Sequence, residues 1–239
     1  MPIDQIWVYL STTPLLGLTL TLLAYQAAFW LYSRSGMNPL ANPVAIAVTI
    51  VLLVLLVTGT PYKTYFDGAQ FVHFLLGPAT VALAIPLYAQ MARLRAMLIP
   101  LLIALIAGAL TAIVSALAIG WALGAAPATV MSLAPKSVTT PIAMGITEKI
   151  GGLPSLTAVL VISTGIIGAV LARPLLNAIR VEDPAIRGFA LGVAAHGIGT
   201  ARAFQVSEVA GAFAALAMGL NGVATALLVP FIIAWIRAY

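Results

Sequence analysis

The stretch that decides the fold is MSLAPKSVTTPIAMGITEKI, residues Met131–Ile150, in the middle of an otherwise apolar chain. Near its start lies a lysine, Lys136, and the stretch contains two prolines, Pro135 and Pro141, six positions apart. Proline lacks a backbone N–H and clashes with the preceding helical turn, so the two prolines exclude one straight helix. In a bilayer, a broken helix persists only where its freed backbone groups are buried in protein or line a watery cavity. The stretch therefore predicts a broken or re-entrant helix at the centre of the molecule.

The same stretch carries the side chains that a buried anion site needs. A lysine in hydrocarbon is costly unless it is paired or hydrated, so an intramembrane lysine indicates function. Half-helix ends beside hydroxyl groups favour a small anion. We therefore expect a substrate site formed by Lys136, Ser137, Thr139 and Thr140. The alternative is that Lys136 lies at a membrane edge and that Pro135 only starts a helix.

Composition identifies the chain as a helical membrane protein. Its 239 residues are 62% hydrophobic and 7% charged, and the mean hydropathy is +1.12. Apolar stretches of about twenty residues, long enough to cross a bilayer, recur along the sequence. The net charge of +5 comes from dispersed basic residues between these stretches. Such residues orient helices, and they form no basic cluster of the kind that binds nucleic acid.

We expect an all-α polytopic membrane protein, one transmembrane domain over residues 1–239, with about seven or eight membrane segments. Residues 62–70 and 173–187 are predicted as polar connections. The basic connections with Arg93/Arg95 and with residues 173–187 should both be cytoplasmic, so the central stretch must enter and leave on the outer side. The segments are predicted at Leu15–Tyr32, Pro43–Thr58, Phe71–Ala89, Ala96–Leu123, the central stretch, Leu153–Leu171, Gly188–Phe204 and Val209–Trp235.

Two segments of similar sequence indicate an internal repeat. LGPATVALAIP (Leu76–Pro86) and LAPKSVTTPIA (Leu133–Ala143) share a leucine, a proline, a hydroxyl residue and a valine in register. Matching proline-interrupted segments in two halves indicate a repeat-built transporter with a site near the midplane. We expect inverted repeats over about residues 12–123 and 125–237, and we add Pro78 and Thr80 to the substrate site. The alternative is chance similarity between apolar segments.

A second candidate site is AAHGIGTARAF, Ala194–Phe204. Its glycines, Gly197 among them, permit irregular backbone, and Thr200 adds a donor. Arg202 offers the rigid fork of donors that binds a carboxylate. An unperturbed histidine titrates near neutrality, so His196 is our candidate for carrying a coupled proton. The alternative is that the glycines serve helix packing and that Arg202 marks an interface.

The sequence contains no recognisable motif for catalysis or for binding a metal or cofactor. There is no cysteine, which excludes disulfides, thiolate metal sites and cysteine nucleophiles. No Ser/His/Asp arrangement or paired carboxylates at helical spacing occur, so we expect no enzyme, no metal and no cofactor. Asn221, in the last segment, is expected to be a buried amide that joins helices.

Three stretches resemble the LrgB/CidB family of bacterial membrane proteins: FLLGPATVALAIPLY (Phe74–Tyr88), MSLAPKSVTTPIAM (Met131–Met144) and AAHGIGTARAF. The resemblance covers residues from about Tyr62 to Ile233, and the N-terminal span matches only in hydropathy. It implies a multi-pass protein of the bacterial inner membrane, with a small LrgA/CidA-like membrane partner. We also expect a homo-oligomer.

The resemblance implies two functions, which compete as expectations for this chain. The first is a proton-coupled secondary transporter of small monocarboxylates, of the pyruvate, glycolate, glycerate or lactate type, that works by alternating access. The second is an antiholin-like regulator of murein hydrolase export and autolysis, which acts through the holin-like partner. Lys136, His196 and Arg202 favour the transporter, because such residues inside membrane segments cost free energy without helping oligomerisation.

Overall fold

The architecture is helical throughout residues 14–238, the part of the chain that the structure describes. This structure is a computed structural model. Its helices form two compact units, which adjoin in sequence at Ala82 and Leu83. The predicted repeat halves divide the chain between residues 123 and 125 instead, and they stay a prediction.

The first unit contains four α-helices and a short 3-10 helix in its described part. The Asn42 side chain caps α2 by accepting hydrogen bonds from the N–H groups of Val44 and Ala45, at 2.9 and 3.1 Å. The same helix ends at Gly59, whose φ of 64° is the left-handed conformation that glycine adopts readily. These two signals explain why the observed bounds equal the predicted ones. The helices are α1 (Pro14–Arg34), the 3-10 helix Pro39–Ala41, α2 (Pro43–Thr58), α3 (Tyr62–Phe74) and α4 (Leu76–Ala82).

The prediction of a polar connection at residues 62–70 is wrong, because these residues begin helix α3. A Cβ at Gly17 of α1 would collide with the carbonyl oxygen of Tyr65 and lie 2.9 Å from the amide nitrogen of Ala69. The backbones of α1 and α3 are therefore in close contact. The polar side chains of α3 lie exposed on the opposite face of an amphipathic helix, at Lys63, Asp67 and Gln70.

The second unit contains eight α-helices in its described part. Arg93 and Arg95, predicted in a turn, lie in a short helix. The helix predicted to end at Leu171 continues past Pro174 to Ala178. The helices are α5 (Ala84–Ala89), α6 (Met91–Ala96), α7 (Leu98–Ala122), α8 (Pro127–Leu133), α9 (Thr140–Ile150), α10 (Pro154–Ala178), α11 (Pro184–Val206) and α12 (Glu208–Ala238).

The charged connection predicted at residues 173–187 is reduced to residues 179–183. Asp183 caps α11, since its Oδ1 accepts a 2.8 Å hydrogen bond from the Ala185 N–H. Its other oxygen, Oδ2, lies 2.6 Å from Nη2 of Arg93. This ion pair places the two basic connections at the same end of the unit, in agreement with the sequence analysis.

Several helices are long and apolar enough to cross a membrane. The prediction of an all-α polytopic membrane protein is therefore confirmed. The apolar helix α2 is shorter, and α11 is long but less apolar. The candidate spans in the described residues are Leu15–Arg34, Tyr62–Ala89, Leu98–Ala122, Pro154–Ala178 and Glu208–Ile236.

Helices α11 and α12 pack backbone against backbone. A Cβ at Gly188 or Gly192 of α11 would collide with the carbonyl oxygen of Ala210 or Ala214 of α12. Small residues four apart are the usual means of such close approach in membranes. The core beside this contact joins α7, α11 and α12 through Leu101, Leu105, Phe189, Val193, Phe213 and Ala217.

Helices α8 and α9 form a re-entrant pair. Ser132 near the end of α8 accepts a 2.8 Å hydrogen bond at Oγ from the Leu153 N–H, where α10 is about to begin. The connection between the two helices, residues 134–139, instead reaches the middle of α12, where Asn221 contacts Ser137. The pair thus enters the unit and returns to the same end, as the prolines predict.

Candidate functional site

The first part of the candidate site is the break between α8 and α9. Two tight turns form it, with the Lys136 N–H donating to Leu133 O at 3.2 Å and the Val138 N–H donating to Pro135 O at 3.3 Å. Thr139 then adopts an extended conformation, with φ −63° and ψ 146°, and α9 begins at the next residue. The chain therefore breaks where the two prolines predict it.

Lys136 is half-buried in this break. Its Nζ donates a 3.3 Å hydrogen bond to the Oγ of Ser137, a residue that is 6% exposed. The ion pair Arg93–Asp183 does not involve Lys136, and no carboxylate lies within ion-pair distance of Lys136 among the described side chains. Thr139 and Thr140, also half-buried, stand at the first turn of α9. A cation, hydroxyls and a helix N-terminus are thus gathered at one point.

The second part of the site is a break inside α11. Ala195 (φ −125°, ψ 15°) and His196 (φ 40°, ψ −131°) depart from helical geometry. A positive φ is unfavourable for a residue with a Cβ, and such strain persists only where the surroundings impose it. The sequence analysis expected the irregular backbone at the glycines instead. Gly199 is needed for a different reason, because a Cβ there would lie 2.7 Å from Leu191 O.

The imidazole of His196 is seated on α10. Its Nε2 lies 2.9 Å from Val161 O, and the residue is 5% exposed. A Cβ at Gly165 would lie 2.8 Å from the Cε1 of His196, so this glycine provides the space that the ring occupies. Because a carbonyl oxygen only accepts, Nε2 carries the hydrogen in this contact.

The other residues predicted in this stretch follow the break. Thr200, 3% exposed, donates from Oγ1 to His196 O at 2.8 Å. Gly197 faces the sulfur of Met218, which would be 3.8 Å from a Cβ at that position. Arg202 lies near the end of α11 and donates from Nη1 to Gln205 Oε1 at 3.2 Å. It is about 9 Å along the helix from His196 by helical rise.

The two breaks meet between α10 and α12. Asn221 Nδ2 donates to Ser137 O at 3.2 Å and to Val193 O at 3.0 Å. On the other side, Val138 packs in a buried cluster with Val161, whose carbonyl receives the His196 ring. The structure therefore brings Lys136 and Ser137 into one region with His196. Asn221 joins helices as predicted, but its position between the breaks was not predicted.

The remaining predicted site residues, Pro78 and Thr80, lie exposed on α4 in the first unit. Their part in a substrate site stays a prediction. No group of three or more His, Asp or Glu side chains that could hold a metal occurs in the described range.

A buried hydroxyl cluster supports the re-entrant pair, and the sequence analysis did not identify it. Thr157 Oγ1 on α10 lies 3.1 Å from Ser132 O of α8 and 2.9 Å from Thr147 Oγ1 of α9. All three residues are fully buried. The cluster ties the C-terminal ends of α8 and α9 to α10, whereas the connection at residues 134–139, which forms the first break, reaches Asn221.

Comparisons with known proteins agree on one family. The model of the LrgB-like family matches residues 21–235. "Uncharacterized protein YwbG" of Bacillus subtilis (strain 168) is 35% identical over 221 residues, which cover 92% of this chain and 98% of that protein. "Antiholin-like protein LrgB" of Bacillus mycoides (strain KBAB4) and of Bacillus cereus (strain B4264) are each 33% identical over 226 residues, covering 95% of this chain and 98% of the relative. No solved structure matches. This multi-pass membrane protein therefore belongs to the LrgB-like family.

Proposed function

We propose that this protein is a secondary transporter of small monocarboxylates, of the pyruvate, glycolate, glycerate or lactate type. The observation that carries the proposal is Lys136, a half-buried cation with no acidic partner in the described residues, located where two broken helices meet. Ion pairs and hydrogen bonds normally satisfy a lysine at such a depth. A bound anion is the partner that this geometry favours.

The substrate carboxylate lies against Lys136 in this proposal. The ammonium group has three hydrogens, of which one is directed at Ser137 Oγ, so two remain for an anion. The N-terminus of α9 adds favourable electrostatics for negative charge. The hydroxyls of Thr139 and Thr140 can bind a 2-oxo or 2-hydroxy oxygen. This donor set suits a substrate of a few carbons with one negative charge.

Coupling to protons is assigned to His196. Nε2 donates to Val161 O, so Nδ1 is the nitrogen that takes up the coupled proton. Protonation would place a positive charge at the second break while an anion occupies the first. We expect His196→Gln to flatten the pH dependence of uptake, and an unchanged pH profile would assign the ring to holding the break alone.

A second candidate function comes from the relatives. Two of them carry the name "Antiholin-like protein LrgB", which supports a regulator of murein hydrolase export and autolysis more directly than it supports a carrier. In that function the chain acts through a small LrgA/CidA-like membrane partner. A homo-oligomer in a bacterial inner membrane is compatible with both functions.

Uptake by purified protein separates the two functions. Labelled pyruvate and glycolate are offered to proteoliposomes that contain the chain alone, with and without a pH gradient. The comparison uses wild type, Lys136→Ala and the control Lys149→Ala, which removes an exposed lysine from the same re-entrant pair. We expect Lys136→Ala to lower uptake by about tenfold or more, since it removes a charge-assisted hydrogen bond, and Lys149→Ala to leave it unchanged.

Two results would contradict this proposal, the first its site and the second the transporter function itself. Equal uptake by wild type and Lys136→Ala would remove this lysine from the site. No uptake by the chain alone, and none after addition of the small partner, would favour the regulatory function instead.

A further inference from the structure

Each helix break leaves one carbonyl without its helical donor. In a regular helix, the Ser137 carbonyl would accept from the residue four positions on, which is Pro141 and has no N–H. The Val193 carbonyl would accept from Gly197, but the two non-helical residues, Ala195 and His196, lie between them. Buried carbonyls of this kind need another donor, because an unpaired polar group in a membrane interior is costly.

One side chain supplies both donors. The Asn221 amide is 1% exposed, and its Nδ2 lies 3.2 Å from Ser137 O and 3.0 Å from Val193 O. An amide nitrogen has two hydrogens, so both are used. The remaining atom, Oδ1, lies 3.4 Å from Thr225 Oγ1. Both donors of Asn221 are therefore used by the two breaks, and its oxygen has a partner on its own helix.

The residue after Asn221 accommodates the first turn of α9. Gly222 lies beneath Ile142, whose Cδ1 would be 2.9 Å from a Cβ at that position. The middle of α12 thus presents an amide and an adjacent flat surface to the tip of the re-entrant pair. The C-terminal ends of α8 and α9 are held by other contacts, in the hydroxyl cluster around Thr157.

We infer that Asn221 is a positioning residue that makes the two breaks move as one. Neither break can shift away from α12 without losing a hydrogen bond to this amide. An anion bound at Lys136 therefore stabilises the backbone around His196 as well, although it touches only the first break. The link itself is a property of the fold, whereas its use in coupling the two parts of a substrate site rests on the transporter function proposed above.

Hydrogen–deuterium exchange of the purified protein tests the link without any ligand. The variants are Asn221→Leu, which removes both donors at similar size, and the control Thr225→Val, which leaves both donors in place. We expect Asn221→Leu to speed exchange on the order of tenfold in peptides 134–143 and 190–200 together. Peptides 150–158, at the hydroxyl cluster, should be unchanged in both variants.

Faster exchange at only one break, or at neither, would overturn the inference. If Asn221→Leu does not fold, Asn221→Gln serves, because it keeps the amide but displaces it by one methylene. The same two peptides should then exchange faster than in wild type. Unchanged exchange in both peptides would likewise overturn the inference.

A second arm adds pyruvate. In wild type, pyruvate should slow hydrogen exchange in peptides 134–143 and 190–200. In Asn221→Leu it should slow exchange only in peptide 134–143. Protection of both peptides in the variant would show that they are not coupled through Asn221. No protection in wild type would count against the transporter function and not against the link, which the ligand-free arm decides.

Discussion

The substitution Gly165→Ala tests whether the packing of the His196 ring against α10 stabilises the second break. The added Cβ would lie 2.8 Å from the Cε1 of His196 and 2.8 Å from the Cδ1 of Ile198. The ring must move by roughly 0.7 Å to recover an ordinary carbon–carbon contact of about 3.5 Å. That movement stretches the 2.9 Å contact between Nε2 and Val161 O beyond the usual hydrogen-bond range. Overpacking costs about 1 to 3 kcal/mol and the lost bond about 1 kcal/mol. Alanine gains up to about 1 kcal/mol over glycine in helix propensity, so we expect a net destabilisation of about 1 to 3 kcal/mol.

The assay is thermal unfolding in detergent, followed by circular dichroism at helix wavelengths. The matched control is Gly145→Ala on α9, where the added Cβ meets nothing within 4 Å and the helix gains up to about 1 kcal/mol in propensity. At about 2 to 4 °C per kcal/mol for a chain of this size, Gly165→Ala should melt roughly 2 to 12 °C below wild type. The control should melt at or above wild type. Equal melting temperatures for the two variants would show that Gly165 does not provide the space for the His196 ring. The explanation given for the second break would then be wrong.

Three further predictions concern other parts of the molecule. Thr157→Val should lower the free energy of unfolding by about 1 to 3 kcal/mol, because it leaves buried hydrogen-bonding groups unpaired. A free energy of unfolding within about 0.5 kcal/mol of the wild-type value, measured by chemical denaturation, would contradict this. Burial raises the pKa of the Asp183 carboxyl, but the hydrogen bonds from the Ala185 and Ile186 N–H groups and the Arg93 guanidinium together hold that pKa below its usual range. Asp183→Asn should therefore cost up to about 1 kcal/mol at neutral pH, a difference that disappears as the pH falls below about 4; a difference that grew in acid would refute the assignment. Lys149→Cys, in this cysteine-free chain, should react with an impermeant thiol reagent only from the outer side, and labelling from the cytoplasm would reverse the predicted orientation.

Local chemistry made the first break predictable. Pro135 and Pro141 lack the N–H that a continuous helix needs, and Lys136 between them is too polar for lipid. The bounds of α2 were equally local, because Asn42 caps its start and Gly59 ends it. Such signals act within a few residues, so they can be read without knowing what the segment packs against.

The errors arose where a segment was judged by its own charged residues alone. Residues 62–70 were predicted as a connection because they contain charged side chains, yet they form a helix whose small and aromatic face packs on Gly17. The charged residues around Arg173 likewise suggested a loop, where α10 in fact continues to Ala178. In both places the choice between loop and helix depended on a neighbouring helix.

The sequence by itself determined the class of the protein, the order of its main apolar segments and the position of the proline break, since hydrophobicity and missing N–H groups act locally. Only the tertiary structure decided where α11 breaks, because no proline marks Ala195 or His196 and the strained φ of 40° depends on a seat provided by Gly165. It also decided the role of Asn221, whose two partners lie 84 and 28 residues away in the chain. A buried amide must find acceptors somewhere, but only the packing of the re-entrant pair, α11 and α12 determines which ones.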